Sequence, residues 1–219
     1  MSILKYGAGM NSASQPPASL TDSDLPVPNA RRTATRAGIC SAASALFFER
    51  GFAAVTMDEI AKATGIRRST LYLHFRDKEE ILGAIAEDFV SKLRPVIAGL
   101  PGPVPTREQI EKWVTEFADF VAGERAATEV LVSLSHLPSA PPAAVAFGQN
   151  MKLMMAERLA AFRRALDPDQ PLAYAWGMST LDALGWALCH HARQGDNEIS
   201  RCRLIVAAEQ LSRFVHDDF

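Results

Sequence analysis

The side chains of this sequence best suited to chemistry fall between Thr56 and Lys78. They are the hydroxyls of Thr56, Ser69, Thr70 and Tyr72, the guanidiniums of Arg67 and Arg68, the His74 imidazole and the Lys78 ammonium. All can donate hydrogen bonds, and none is spaced as a nucleophile with its base. Such a set suits the holding of a polyanion. A guanidinium can make a bidentate contact to guanine O6 and N7, worth about 1–3 kcal/mol of discrimination. Hydroxyl, imidazole and ammonium groups can grip phosphates.

The rest of the chain offers little to a catalyst. His190 and His191 are adjacent, hence about 100° apart on a helix, and no H-x-x-x-H, H-E-x-x-H, G-x-S-x-G or phosphate-loop pattern occurs. Cys40, Cys189 and Cys202 are odd in number and lack C-x-x-C spacing, which argues against a disulfide framework or structural zinc and for a reducing cytoplasm. No metal, cofactor or catalytic residue is expected. An enzyme in the later helices is the rejected rival.

The elements that must position the first cluster are short helices. Ile39, Ala43, Leu46 and Phe47 share one face over residues 34–50, and Gly51 stands where that helix should end. Thr56-Met57-Asp58-Glu59 is a capping box that starts a second helix at Met57. Gly65 permits the positive φ of a sharp turn. A third helix opens on Arg67-Arg68-Ser69-Thr70, with Leu71 and Phe75 inward and Tyr72, His74 and Arg76 elsewhere. Asp77, with Glu80 three residues on, caps a fourth helix through Ile81, Ile85 and Phe89. Two short helices across a glycine turn, the second opened by paired arginines, are the parts of a helix-turn-helix whose second helix enters the major groove. Arg31 and Arg32 are either a minor-groove arm or solvated charge.

The run TMDEIAKATGIRRSTLYLHFRDKEEIL, residues 56–82, resembles the DNA-binding segment of the TetR family of bacterial repressors, above all in Thr-Leu-Tyr-x-His-Phe followed by x-x-Lys-Glu. Ala43, Leu46, Phe47, Gly51 and Phe52 extend the likeness to about residues 33–90. The resemblance implies a homodimer with three DNA-binding helices per subunit, and a divergent helical domain that binds a small effector and releases DNA. Its DNA-facing positions fall here on Thr56, Arg67, Arg68, Ser69, Thr70, Tyr72, His74 and Lys78. Relatives commonly carry a small residue at Arg67, so this cation either reads a base or seats on phosphate.

The remaining chain reads as helices punctuated at Pro95 to Pro105, Pro138 to Pro142 and Asp167 to Pro171, without repeats or strand-like alternation. The fold class expected is all-α. Thr106 to Gln109 is another capping box, opening a helix with Trp113, Phe117 and Phe120 along a stripe. A helix from about Glu124 to His136 follows, and one from about Pro142 to Leu166 aligns Phe147, Met151 and Met154, with Met155 adjacent. This stripe is either plain core or the wall of an apolar effector pocket formed with Phe89, with His136 as its polar member.

Residues 172–192 are apolar nearly all round, so something must cover them. Ala173, Gly177, Leu181 and Gly185 lie at four-residue spacing. With Leu204, Ala208 and Leu211 of the last helix they form either a two-subunit four-helix bundle or a face buried within one subunit. A single helix-turn-helix covers little surface, which independently favours a homodimer on an imperfectly palindromic double-stranded operator.

Composition supports this division. The 219 residues carry a net charge of −2, yet Arg31 to Glu80 holds nine basic and six acidic residues and the chain from Ile81 onward 13 and 17. A basic module precedes an acidic one. The expected organisation is a tail over 1–30 with Met1 or Met10 as start, a DNA-binding domain over 31–90, and a ligand-binding and dimerisation domain over 91–219. Neither a membrane span nor a signal peptide is legible. The reading is a cytoplasmic, effector-responsive transcriptional regulator, with a constitutive DNA binder as its alternative.

Overall fold

The computed structural model describes residues 30–216, all of whose regular elements are helices. The expected tail, apart from Ala30, and the choice between Met1 and Met10 lie outside the described residues. Helix α1 (Ala30–Arg50) starts earlier than the apolar pattern requires and takes Arg31 and Arg32 into its exposed first turn. Helices α2 (Met57–Thr64) and α3 (Arg68–His74) follow. Ile39, Ala43, Phe47, Ile60, Leu71 and Phe75 close a core over the start of α4 (Lys78–Ala98). The boundary expected at residue 90 falls inside α4, which runs unbroken past it and through Pro95.

Helix α5 (Arg107–Gly123) begins at the expected box, where the Thr106 hydroxyl accepts from the Gln109 backbone N–H at 3.3 Å and the Gln109 carbonyl oxygen accepts from that of Thr106 at 2.8 Å. Helices α6 (Arg125–Ser135), α7 (Pro142–Arg158), α8 (Ala160–Ala165), α9 (Pro171–Gln194) and α10 (Glu198–His216) complete the chain. The single helix expected from Pro142 to Leu166 is two. Leu159 takes an extended conformation (φ −112°, ψ 126°), and the Ala160 N–H leaves the helical ladder for the Pro103 carbonyl at 3.1 Å. Arg158 fastens the same junction by donating to the Leu100 carbonyl at 3.1 and 2.6 Å. Gly102 is obligatory there, since a Cβ would stand 2.4 Å from the Arg158 carbonyl oxygen.

Helix α9 packs most extensively on α10, and also on α5 and α8. The Ala173–Gly177 face, expected as a contact between subunits, is covered by the chain's own residues. At Gly177 a Cβ would lie 3.1 Å from Phe214, 3.2 Å from Ala165 and 3.5 Å from Phe162. Ala173, Leu204, Ala208 and Leu211 are likewise buried within one chain. The glycine admits α8 and α10 from the same subunit.

Candidate nucleic-acid interface

Local chemistry builds the helix-turn-helix as its sequence spacing requires. The Thr56 hydroxyl accepts from the Glu59 N–H at 3.4 Å, and Glu59 Oε2 accepts from the Thr56 N–H at 2.8 Å and hydroxyl at 2.9 Å. These donors and the Arg50 guanidinium, 2.7 Å away, hold the Glu59 carboxyl down at about 2. Gly65 adopts φ +67° and its N–H closes α2 on the Lys62 carbonyl at 3.2 Å. Asp77 accepts from the Glu80 N–H at 2.8 Å, while Glu80 reaches back to the Arg76 N–H, also at 2.8 Å.

The second helix of the pair, α3, buries Leu71 and Phe75 and exposes Arg67, Arg68, Ser69, Tyr72 and Leu73. Thr70 and His74 are half-buried at its edges. Among the described residues Arg67 has no side-chain partner, so its guanidinium is free for a ligand. Arg68 donates to Asp58 Oδ2 at 2.8 Å and lies over the Tyr72 ring, 5.5 Å from its centroid. Its fork is therefore aimed from two sides. The His74 ring turns Nδ1 inward without a partner, and the His74 carbonyl accepts from Arg36 at 2.8 Å. Arg36 also stacks on Phe75 at 4.0 Å, so one cation straps α1 to the end of α3.

Lys78 is placed differently from the expected phosphate grip. Its ammonium donates to the carbonyls of Phe52, Ala53 and Val55 at 2.8, 3.0 and 3.2 Å and lies 4.8 Å from the centre of the Phe52 ring. An ammonium has three N–H donors, and all three are engaged in the α1–α2 connection. Sequence reasoning also missed Asp58, Arg36 and Leu73. Asp58 reads as an ordinary acid in a helix's first turn, and Arg36 carries no local motif. Leu73 shows itself only through its exposure.

The apolar stripe of the later helices does enclose a space. A cavity of about 40 Å³ lies between α4, α5, α6, α7 and α9. Phe89, Phe117, Phe147 and Met151 line it, and Phe120 packs on Phe89 and Phe117 with ring centres 5.5 and 6.3 Å apart. Trp113, Met154 and Met155 are core residues away from it. The Trp113 indole N–H is committed to the Val96 carbonyl at 2.8 Å. His136 also stands apart, bridging the end of α6 to Asp182 of α9 at 2.9 Å. Leu181 and Gly185, expected at a subunit interface, line the cavity instead, with Val132, Leu184 and Leu188. Thr128 is its one polar lining residue, and its hydroxyl donates to the Glu124 carbonyl at 3.0 Å.

Helix α6 joins this cavity to the helix-turn-helix unit. Thr128 and Val132 look into the cavity, Glu129 is buried in an ion pair with Arg193 of α9, and Arg125 lies 4.9 Å from the centre of the Phe48 ring on α1. Among the described residues no cluster of His, Cys, Asp or Glu can hold a metal, and no helix is long and apolar enough to cross a membrane.

An all-helical chain with a cationic outer face on its second short helix falls in the class of helix-turn-helix proteins. Residues 39–85 match the family model for bacterial regulatory proteins of the tetR family, so over this segment the chain is similar to that family. It is 36% identical over 80 residues to the transcriptional regulator YerO of Bacillus subtilis, covering 34% of this chain and 27% of that protein. It is 34% identical over 91 residues to the transcriptional activator FasR of Mycolicibacterium smegmatis, covering 41% and 42%. The chain thus matches less than half the length of either relative. The fold extends further. The fatty acid degradation regulator FadR of Bacillus halodurans superposes with a TM-score of 0.60 over 83% of this chain and 94% of its own, at 14% identity.

Proposed function

We propose that the protein is a transcriptional regulator that binds an imperfectly palindromic operator as a homodimer and leaves it when a small apolar effector fills the α4–α9 cavity. The observation that carries the reading is the outer face of α3, where Arg67, without a side-chain partner among the described residues, adjoins an Arg68 held in place by Asp58 and Tyr72. In this reading Thr56, Ser69, Thr70, Tyr72 and His74 contact the backbone or base edges, and Lys78 acts by holding the α1–α2 connection under α3. Residues 31–90 form the DNA-binding unit, and the chain beyond, with Phe89 of the shared helix α4, binds ligand and partner. Repression follows from occupancy of the operator.

The chemistry of the cavity supports an uncharged effector, because every lining side chain but Thr128 is apolar. At about 40 Å³ it is closed down well below the roughly 300–1,000 Å³ of a ligand site. An effector must therefore favour a swollen state, and it acts only through that differential affinity. Swelling would push Phe89 on α4 and Thr128 on α6. The first shares a rigid helix with Lys78, about 16 Å away at 1.5 Å per residue, and the second adjoins Arg125 and its seat on α1.

The small cavity also favours a second reading, a DNA binder without effector. Selection of genomic fragments followed by footprinting, with and without a panel of neutral hydrophobic compounds, tests both. Protection of an inverted repeat that one compound abolishes is the expected result. Protection that none abolishes supports the second reading. No preference for any inverted repeat over bulk DNA at moderate ionic strength overturns both.

The surface through which two copies meet is proposed on the outward sides of α9 and α10. Trp186, Ile199 and Val206 are 45%, 64% and 65% exposed there and, with Ala183 and Cys202, line one groove.

A further inference from the structure

The least expected side chain on α3 is Leu73. It is 76% exposed, whereas Leu71, two residues earlier, is fully buried. The fold gives it no task, since the inward face of α3 is already filled by Leu71 and Phe75. On a helical projection it falls between Ser69 and Thr70, one turn before it, and opposite the buried Leu71 and Phe75, so it belongs to the outward face of the helix that Arg67 and Arg68 open. An isolated exposed leucine is ordinary on a protein surface. On a seven-residue helix whose other exposed groups are hydrogen-bonding or cationic, it is the one group that gains nothing from phosphate.

We infer that Leu73 is a specificity-determining residue that reads a thymine through its C5-methyl group in the major groove. This inference rests on the DNA-binding reading given above. Among the four bases only thymine presents an apolar group on its major-groove edge, and apolar side chains recognise it by contact. Arg67 and Arg68 then read or hold at the start of the helix, and Leu73 adds an apolar requirement one turn and a half further along. The operator should carry, in each half-site, a thymine whose methyl group is essential although its hydrogen-bonding edge is not.

The test is thymine-to-deoxyuridine replacement, one position at a time, in the duplex selected by the wild-type protein, which deletes the methyl and keeps every hydrogen bond. Wild type should lose about fourfold in affinity at one thymine per half-site, the worth of one methyl withdrawn from water. Leu73→Ala, whose thermal midpoint should match wild type because the side chain is exposed, should bind the thymine and uracil duplexes equally. Leu73→Met, which keeps an apolar contact, should retain part of the discrimination. A wild-type protein indifferent to every replacement, or a Leu73→Ala protein that discriminates as well as wild type, overturns the inference while leaving DNA binding intact. A wild type that selects no duplex at all overturns the DNA reading itself, and this inference with it.

Discussion

Arg68 of α3 donates to Asp58 of α2 at 2.8 Å, an ion pair that crosses the glycine turn and stays open to solvent on both sides. Pairs this exposed contribute about 0–1 kcal/mol to folding, so its consequence is orientation more than stability. With Tyr72 beneath it, the guanidinium is held in a limited set of directions before any ligand arrives.

Two substitutions separate aim from charge. Arg68→Ala should weaken operator binding and flatten the preference between operator and mismatched duplexes by roughly tenfold, the scale of one lost bidentate contact. Asp58→Ala should leave the thermal midpoint within about 3 °C and preserve non-specific affinity while lowering selectivity. Titration of both variants against matched and scrambled duplexes measures this. Undiminished selectivity in Asp58→Ala would show that the pair does not aim Arg68.

Lys78 leads to a different expectation. Hydrogen bonds to charged groups contribute about 1.5–3 kcal/mol, and this ammonium holds the carbonyls of Phe52, Ala53 and Val55 together. Lys78→Ala should lower unfolding free energy by roughly 2–3 kcal/mol. The dependence of operator affinity on salt should keep its slope, because no phosphate contact is removed. Chemical denaturation and salt titration decide the matter: a stable variant with a shallower slope would return Lys78 to the phosphates.

The two glycines of α9 should part company. At Gly177 a side chain meets Phe214 and Ala165 at 3.1 and 3.2 Å, so Gly177→Leu should overpack the subunit by about 1–3 kcal/mol and lower the thermal midpoint without selective loss of a dimer. At Gly185 a Cβ meets only Val132, at 3.8 Å. Gly185→Ala should stabilise by about 1 kcal/mol through helix propensity while narrowing the cavity. Calorimetry together with sedimentation checks both. A Gly177→Leu protein that is fully stable yet monomeric would place this face between subunits after all.

These contrasts show which features the sequence could disclose. The caps at Thr56, Asp77 and Thr106 were legible because each joins residues three apart, and Gly65 because a tight turn has few chemical solutions. The Lys78–Phe52, Arg36–His74 and Arg158–Leu100 bonds span 26, 38 and 58 residues and leave no local mark. The split of the long helix at Leu159 follows from the last of these junctions. Helix α9 was legible as needing cover all round, but which side receives its own chain depends on where Phe214 and Phe162 arrive. The glycine face received them, leaving Trp186 outward, and the same shift brought Leu181 and Gly185 to the cavity.

The outward faces of α9 and α10 then carry the dimer prediction. Ile199→Glu combined with Val206→Glu places two carboxylates on an exposed apolar surface, so each subunit should fold while association fails. Sedimentation should show monomer at concentrations where wild type is dimeric, and affinity for an inverted repeat should drop by more than tenfold as the two half-sites cease to be linked. A dimer that survives both charges would exclude this surface.

The last prediction concerns pH and the joint between α6 and α9. His136 Nδ1 lies 2.7 Å from the Val132 carbonyl and Nε2 lies 2.9 Å from the Asp182 carboxylate. Both partners are acceptors, so both ring nitrogens donate together only in the imidazolium. The Val132 carbonyl, then Asp182, raise the pKa of His136 against the opposing effect of partial burial. A group whose pKa rises on folding adds stability that is fully present below its unfolded value, about 6.5, and disappears as pH climbs through the folded value. Asp182→Asn should therefore be less stable than wild type at pH 5.5, by under about 1 kcal/mol because the pair is open to solvent. The two proteins should converge by pH 8.5. Urea unfolding at both pH values reads the difference directly, and a gap that widens on going alkaline would contradict the assigned protonation state.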